Sequence, residues 1–527
     1  MKSNKVPSLT LVAAALALSC AATGTARAAA TITIVNANAA GVGFNETTSA
    51  TPVGGNTGTT IGQQRLIAFT HAANMWDATL TSATPIVINA VFRPPACTAT
   101  GATLGSAGAT RVFRDFTGAP KAATWYSYAL TNKLYGAEAS ATPAPQINAN
   151  FNSEPGKPGC LTGTSFYLGL DANHGTNIDF VATLLHEMGH GLGFQTFTNG
   201  LTGFQLGAVS NVGGVPSAWD HFLLDNAANK LWAAMSNEER KASSLMPAGL
   251  SWTGARVTAA VPQVLSATPQ LRLVGYGAKQ AASVYQVGAA DFEPAIGSPP
   301  VTGQIAKVAL QAASPGSAST AFDAANTAAV YGKIALVSRG TCGFVIKVKN
   351  AQNAGAIGVI VVDNVQAAIS ALGGSDPTIT IPSVRVTLAD GTEIAASLVK
   401  ENGNVAGTVG KMALSKTLIA GTDSQRRITM YTPNPYESGS SISHYNTSAR
   451  RNQLMEPSIS ADLTHSVTAP VDLTFELLKD IGWQSDCRCF QKPPACRRFF
   501  SSWNPTRLHC HALIPQQVVP DMDQVLH

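Results

Sequence analysis

The segment Leu184-Leu185-His186-Glu187-Met188-Gly189-His190 sets two imidazoles one helical turn apart with a carboxylate between them. Histidines at i and i+4 lie on one helical face, so both can bind a single Zn²⁺. Glu187 can then take a proton from a water held beside that ion. Ile178, Phe180, Val181, Ala182, Leu184 and Leu185 make the flanking helix apolar nearly all round, which predicts burial. Two unliganded histidines beside a glutamate in such a place would be costly. A catalytic zinc of this kind takes three protein ligands and keeps one position open, so a third ligand must be found. Gly191 and Gly193 predict that the helix ends there and the chain turns sharply. Glu238 and Glu239 could serve from a later helix, although their surroundings are polar. His221 and Asp220, in Ser217-Ala218-Trp219-Asp220-His221-Phe222, are further candidates. His174 and His465 read as loop residues, and His71 as a surface position on a helix.

Through Gly193 this stretch resembles the metzincin pattern H-E-x-x-H-x-x-G-x-x-H, but Thr196 stands where the last histidine is expected. Thr is not a zinc ligand. The segments Gly439-Ser440-Ser441-Ile442-Ser443-His444-Tyr445 and Asn452-Gln453-Leu454-Met455-Glu456-Pro457 resemble the leishmanolysin-like metzincins. In that group an insertion separates the glycine from the third histidine, and a Met-turn follows it closely. The resemblance implies that His444 is the third ligand. It also implies that Met455 forms the floor beneath the metal without binding it. It covers about 62–264 and 413–483.

The intervening stretch 265–412 differs in character, with short β-type runs at 334–337, 359–362 and 379–381 and a helix-like piece near 347–354. The string Gly332-Lys333, Val337-Ser338-Arg339-Gly340-Thr341-Cys342-Gly343-Phe344, Lys347, Asn350-Ala351, Ala354-Gly355-Ala356, Ile381-Pro382-Ser383-Val384 and Asp390-Gly391 resembles a protease-associated (PA) domain. Such domains lack catalytic groups and cover or gate an active site, or bind partners. One departure is that Ser314-Pro315-Gly316-Ser317 has no cysteine, which leaves Cys342 without its usual mate.

The elements that must position these groups are legible in outline. Residues 29–60 read as an extended arm or edge strand. Leu66, Phe69, Ala73, Trp76 and Leu80 form a helical stripe, and Ile86 to Phe92 a strand. Ser165 to Leu170 reads as a short strand, followed by a turn and a helix cap over Asp171, Asn173, Gly175, Asn177 and Asp179. That alternation of oxygen ligands could hold Ca²⁺, but a bidentate Glu is missing and turn-plus-cap accounts for it equally well. A helix from Val471 to Ile481 with Gly482 as its C-cap closes the pattern. The expected architecture is α+β: a metzincin-like zinc protease catalytic domain (29–264 and 413–483) interrupted by a β-rich PA domain (265–412).

Composition narrows the function classes. The 527 residues carry Lys+Arg 35 against Asp+Glu 30, a net +5 spread thinly, which argues against nucleic acid or a polybasic membrane patch. Charged residues make up 12%, well below the roughly 25% of ordinary soluble domains. Lys2 and Lys5, the apolar run Leu9 to Leu18, and Ala26-Arg27-Ala28 predict a cleavable signal peptide over 1–28. The apolar run is shorter than the about 20 residues a membrane span needs, so secretion, extracellular or periplasmic, is expected. Export permits disulfides, and Cys97 and Cys160 are expected to pair. The tail 484–527, with Cys487, Cys489, Cys496, Cys510, His509 and His511, shows no core periodicity and reads as irregular. The whole predicts a secreted zinc endopeptidase acting on proteins or peptides, through His186, His190 and His444 with Glu187 as general base. The rival is a secreted binding protein that uses its PA domain on an inactive scaffold.

Overall fold

The computed structural model describes residues 29–483 apart from 209–212, 275–283, 291, 293, 295, 298–299, 312–313, 367–370, 375 and 399–406. The expected signal segment and the Cys/Arg-rich tail lie outside the described residues. The first half is built on strand β1 (Ile32–Asn36), helix α1 (Ile61–Thr79), strands β2 (Ile86–Arg93), β3 (Gly105–Ala109) and β4 (Ile147–Asn152), and helix α2 (Phe180–Leu192). The strands lie in the order β1-β2-β4-β3. β2 runs parallel to β1 and β4, whereas β3 is antiparallel to β4 at the sheet edge.

Local chemistry explains these elements. In β2 the residues Ile86, Ile88, Ala90 and Phe92 are buried while their neighbours are partly open, the period-2 pattern of a sheet with one covered face. Thr60 begins α1 by accepting the Gln63 N–H on its side-chain oxygen at 3.2 Å. Ala68, Phe69, Ala72, Ala73 and Trp76 form the buried face of α1. Leu66, expected on that stripe, is 40% exposed because the covered face runs through Ala72 instead. Trp76 donates its indole N–H to the Leu185 carbonyl at 3.3 Å, tying α1 to α2. The expected strand at 165–170 is reduced to Phe166–Tyr167, paired with Ile178–Asp179.

The insert contains β5 (Ala267–Val274), β6 (Val301–Lys307), β7 (Ile334–Ser338), β8 (Gly358–Val362), β9 (Ser383–Val386) and β10 (Val409–Ile419). In its sheet these follow the order β5-β10-β6-β7-β8-β9. β6 to β9 are mutually parallel; helix Ala324–Val330 links β6 to β7 and helix Phe344–Asn353 links β7 to β8, the crossover connection that parallel pairing uses. β8 is the buried apolar strand expected there. The run 379–381 is not a strand; the neighbouring strand is Ser383–Val386. β5 and β10 pair antiparallel from Ala267↔Ile419 to Val274↔Val409. The chain therefore enters and leaves the insert at one ribbon. The boundary expected at 412 falls inside β10, since its pairing with β5 continues to Ile419.

After the ribbon the chain rejoins the first half. Ile428, Met430, Ile442, Tyr445, Leu454, Met455 and Leu473 share one core with Trp76, Phe180, Leu185 and Trp252, while the insert packs around separate cores. The last helix among the described residues, α3, spans Thr474–Ile481, shorter at its start than the expected 471, with Gly482 as C-cap. Trp483 donates its indole N–H to the Leu192 carbonyl at 2.8 Å, so this residue closes onto the end of α2. Cys97 and Cys160 form a disulfide with Cα atoms 5.1 Å apart, joining the β2–β3 loop to the segment after β4. No helix among the described residues is long and apolar enough to cross a membrane.

Candidate metal centre

Helix α2 is buried along its whole length. Asp179 caps it by accepting the Ala182 N–H at 3.1 Å, and Phe180 packs among Phe92, Phe151 and Phe166. The expected helix end is seen at Gly193, whose φ of 120° an L side chain rarely adopts. Gly189 has a different reason: a Cβ there would lie 2.9 Å from the Met455 sulfur, so the absent side chain lets the Met455 loop close directly onto the helix between His186 and His190.

His186, His190 and His444 come together, and among the described residues they are the group of His, Cys, Asp and Glu that could hold a metal ion. Their Nε2 atoms are 3.1 Å (His186–His190), 3.2 Å (His190–His444) and 3.2 Å (His186–His444) apart. Each Nδ1 faces a backbone carbonyl: His186 that of Leu454 at 2.7 Å, His190 that of Phe194 at 2.8 Å, His444 that of Ser440 at 2.7 Å. A carbonyl can only accept, so each Nδ1 carries the proton. Burial pushes the imidazolium forms down, to about 4 for His186 and about 3 for His190, and well below the ordinary value for His444. The rings are therefore neutral at pH 7, and three bare Nε2 lone pairs converge with no proton among them. Three such acceptors repel unless a cation sits between them. Tetrahedral Zn²⁺ with bonds of 2.0–2.1 Å needs nitrogens about 3.3 Å apart, so the donor set fits that ion.

Glu187, between the two histidines on the same helix, is buried with its carboxyl against β3. Burial pushes its carboxyl up to about 8, opposed by a hydrogen bond from the Ala107 N–H of β3. A Cβ on Gly105 would lie 2.9 Å from Glu187 Oε1, so the edge strand runs directly over the carboxylate. A base next to an edge strand can serve a chain lying along that strand.

The competing ligands are occupied elsewhere. Asp220 is buried and accepts from the Thr196 hydroxyl (2.5 Å), the Thr198 hydroxyl (2.7 Å) and the Ser217 N–H (2.8 Å). Thr196 thus spends its side chain on Asp220, and its N–H donates to the Ser443 hydroxyl at 3.2 Å, next to His444. His221 Nε2 sits 3.0 Å from the Thr124 hydroxyl. Glu239, itself exposed, forms a capping box with Ser236 at a helix start. His465 is 2.7 Å from Asp179, and His71 is half-buried with its ring centroid 6.3 Å from that of His465, so neither is a bare surface residue. In the stretch considered for calcium, Asp171 accepts from Tyr167 and Asn173 and Asp179 caps α2, which are turn and cap duties.

The carbonyls that orient the rings are absent from the sequence reading. Those for His190 and His444 lie four residues away along the chain, so a helix end and a tight turn foretell them. The Leu454 carbonyl is a tertiary contact with no local signal.

Comparison with known proteins bears on the insert. One curated relative, the minor extracellular protease Vpr of Bacillus subtilis (strain 168), is 36% identical over 87 residues, which is 16% of this chain and 10% of that protein. The chain thus spans about a tenth of that relative. Among solved structures, a zinc aminopeptidase from Bacillus subtilis aligns over 30% of this chain and 36% of its own, at 22% identity and a TM-score of 0.19. An aminopeptidase from Aneurinibacillus sp. strain AM-1 aligns over 30% of this chain and 37% of its own, at 23% identity and 0.20. At those scores neither likeness bears on the fold of the whole chain. Residues 301–394 match the PA domain family, and the insert between α2 and His444 contains a PA domain.

Proposed function

We propose that the protein is a secreted zinc metalloendopeptidase of the metzincin clan, leishmanolysin-like in having its third ligand beyond a long insertion. The observation that carries this reading is the convergence of three unprotonated imidazole nitrogens, two of them from the helix whose Glu187 carboxyl lies against an edge strand. His186, His190 and His444 would hold the zinc. When bound, the ion would polarise water and the scissile carbonyl. The charge of the ion would favour the ionised form of Glu187 against the push of burial. That carboxylate accepts the proton of the attacking water and returns it to the departing amine nitrogen, so it ends the cycle as it began. The Ala107 N–H holds that carboxylate against β3, whose outer edge can align an extended peptide by main-chain hydrogen bonds. Met455 packs beneath the helix and serves as floor, and the PA domain would select or gate substrates.

The test uses the whole chain. Zinc by elemental analysis should approach one ion per chain, and casein hydrolysis should stop with a chelator and return with zinc. Glu187→Gln should keep the zinc and slow hydrolysis by about 10²–10⁴-fold. A zinc-loaded wild type that cuts neither casein nor short peptides overturns the peptidase reading in favour of a binding protein.

A further inference from the structure

The three rings are not held by equivalent means. His190 and His444 find their Nδ1 acceptors within four residues on their own segments. His186 instead depends on the Leu454 carbonyl, from a loop that reaches the helix across the whole insertion. That carbonyl is useful only if the loop is held in place. Asp472, 3% exposed, accepts the Leu454 N–H at 2.7 Å on one oxygen and the Thr474 N–H at 2.7 Å on the other. Two further bonds strap the same loop: Leu473 N–H to the Gln453 side chain at 3.0 Å, and Gln453 N–H to the Glu456 carboxylate at 2.9 Å. Leu454 is therefore held at both ends, by a carboxylate on its N–H and by His186 on its C=O.

We propose that Asp472 is a positioning residue for the metal centre, holding the Leu454 carbonyl so that His186 keeps its Nδ1 proton and turns Nε2 toward the other two rings. The proposal rests on the zinc reading above. A carboxylate ties the start of α3 to the Met455 loop by bonds between charged and neutral partners, the stronger kind of hydrogen bond. Groups that orient a ligating histidine from outside the coordination shell tune metal affinity without touching the ion.

The test measures zinc affinity of the whole chain by competition with a chelator of known affinity, alongside the melting temperature of the metal-free protein. Asp472→Asn turns an amide against one of the two backbone N–H groups, so only one keeps an acceptor. Its zinc affinity should fall by about 10–100-fold. Asp472→Ser, whose hydroxyl accepts one N–H and presents no opposing amide, serves if the Asn variant does not fold and is held to the same expectation. Leu477→Ala, in the buried face of α3, is the control: it should lower the melting temperature and leave zinc affinity at the wild-type value. Wild-type affinity in the Asp472 variants, or an equal loss in Leu477→Ala at the same melting temperature, overturns the proposal. A wild type that takes up no zinc overturns the zinc reading itself, a result distinct from either.

Discussion

The histidine cluster at α2 and the PA insert both bury polar groups, but they bury them in opposite ways. In the insert the buried charges meet partners. Asp363 lies between Arg339 at 2.7 Å and Arg385 at 2.5 Å, and Lys347 donates to the Ser317 and Gly340 carbonyls at 2.5 and 2.7 Å. These contacts close on themselves and hold loops around β7 and β8. At the histidine cluster three acceptors face one another, with their donors turned outward to carbonyls. Buried polar groups that satisfy each other are structure, whereas buried acceptors that converge on one point form a donor set that a cation could use. The same low-dielectric interior makes both arrangements costly to disturb, but only the second leaves coordination to give.

That contrast can be broken by experiment. The largest effect is expected from His444→Ala, which removes one of three convergent acceptors. Zinc affinity should fall by more than the about 10–100-fold that an outer-shell change costs, and hydrolysis should fall with it. Elemental analysis and a peptide assay check this; retained zinc would mean that the His444 segment has no place in the centre.

In the insert, Asp363→Asn leaves Arg385 buried without its carboxylate, which should cost up to about 5 kcal/mol of local stability. Calorimetry should see the insert melt earlier while zinc content stays unchanged. A loss of zinc here would mean that the two regions are coupled and the contrast is too sharp.

Removing the disulfide by Cys97→Ser with Cys160→Ser should cost about 4 kcal/mol in the loop-entropy view, given a separation of 63. Denaturant unfolding of the region outside the insert measures it, and an unchanged midpoint would show that the β2–β3 loop is held without the bridge. The smallest effect is expected from His221→Ala, whose ring meets the Thr124 hydroxyl and not the cluster. Zinc and turnover should match the wild type; a zinc-free His221→Ala would reassign the third ligand.

Part of the site is legible in the order of the residues alone. His186, Glu187 and His190 group by their spacing because helical periodicity is a local property: an apolar segment of that length has one way to bury itself, and it puts both rings on one face. The capping role of Asp179 and the strand run at 359–362 follow from turn chemistry and composition in the same way, whereas the Cys97–Cys160 pair is expected only because export permits disulfides and the two cysteines flank one stretch of chain. The features that differ from expectation are those set by packing. Leu66 belongs to an apolar stripe by its spacing, yet the face against the sheet runs through Ala72. The run 379–381 has strand-like residues but lies beside the strand.

His444 illustrates the limit. Only a family likeness singles it out, since spacing and composition leave His221, Asp220 and Glu238 or Glu239 open as alternatives. Local patterns carry no signal for a contact spanning the whole insertion. What the amino-acid sequence determined by itself was the helix, its two imidazoles, its carboxylate and the outline of a separate inserted module, all set by interactions within a few residues. What only the tertiary structure decided was which distant side chains meet that helix. The β5–β10 ribbon returns the chain beside its point of departure, and one core joins 428–483 to the first half. That shared core brings His444, the Leu454 carbonyl and Asp472 to their places, because burial of apolar surface is non-directional and long-range in sequence, while the hydrogen bonds that follow it are neither.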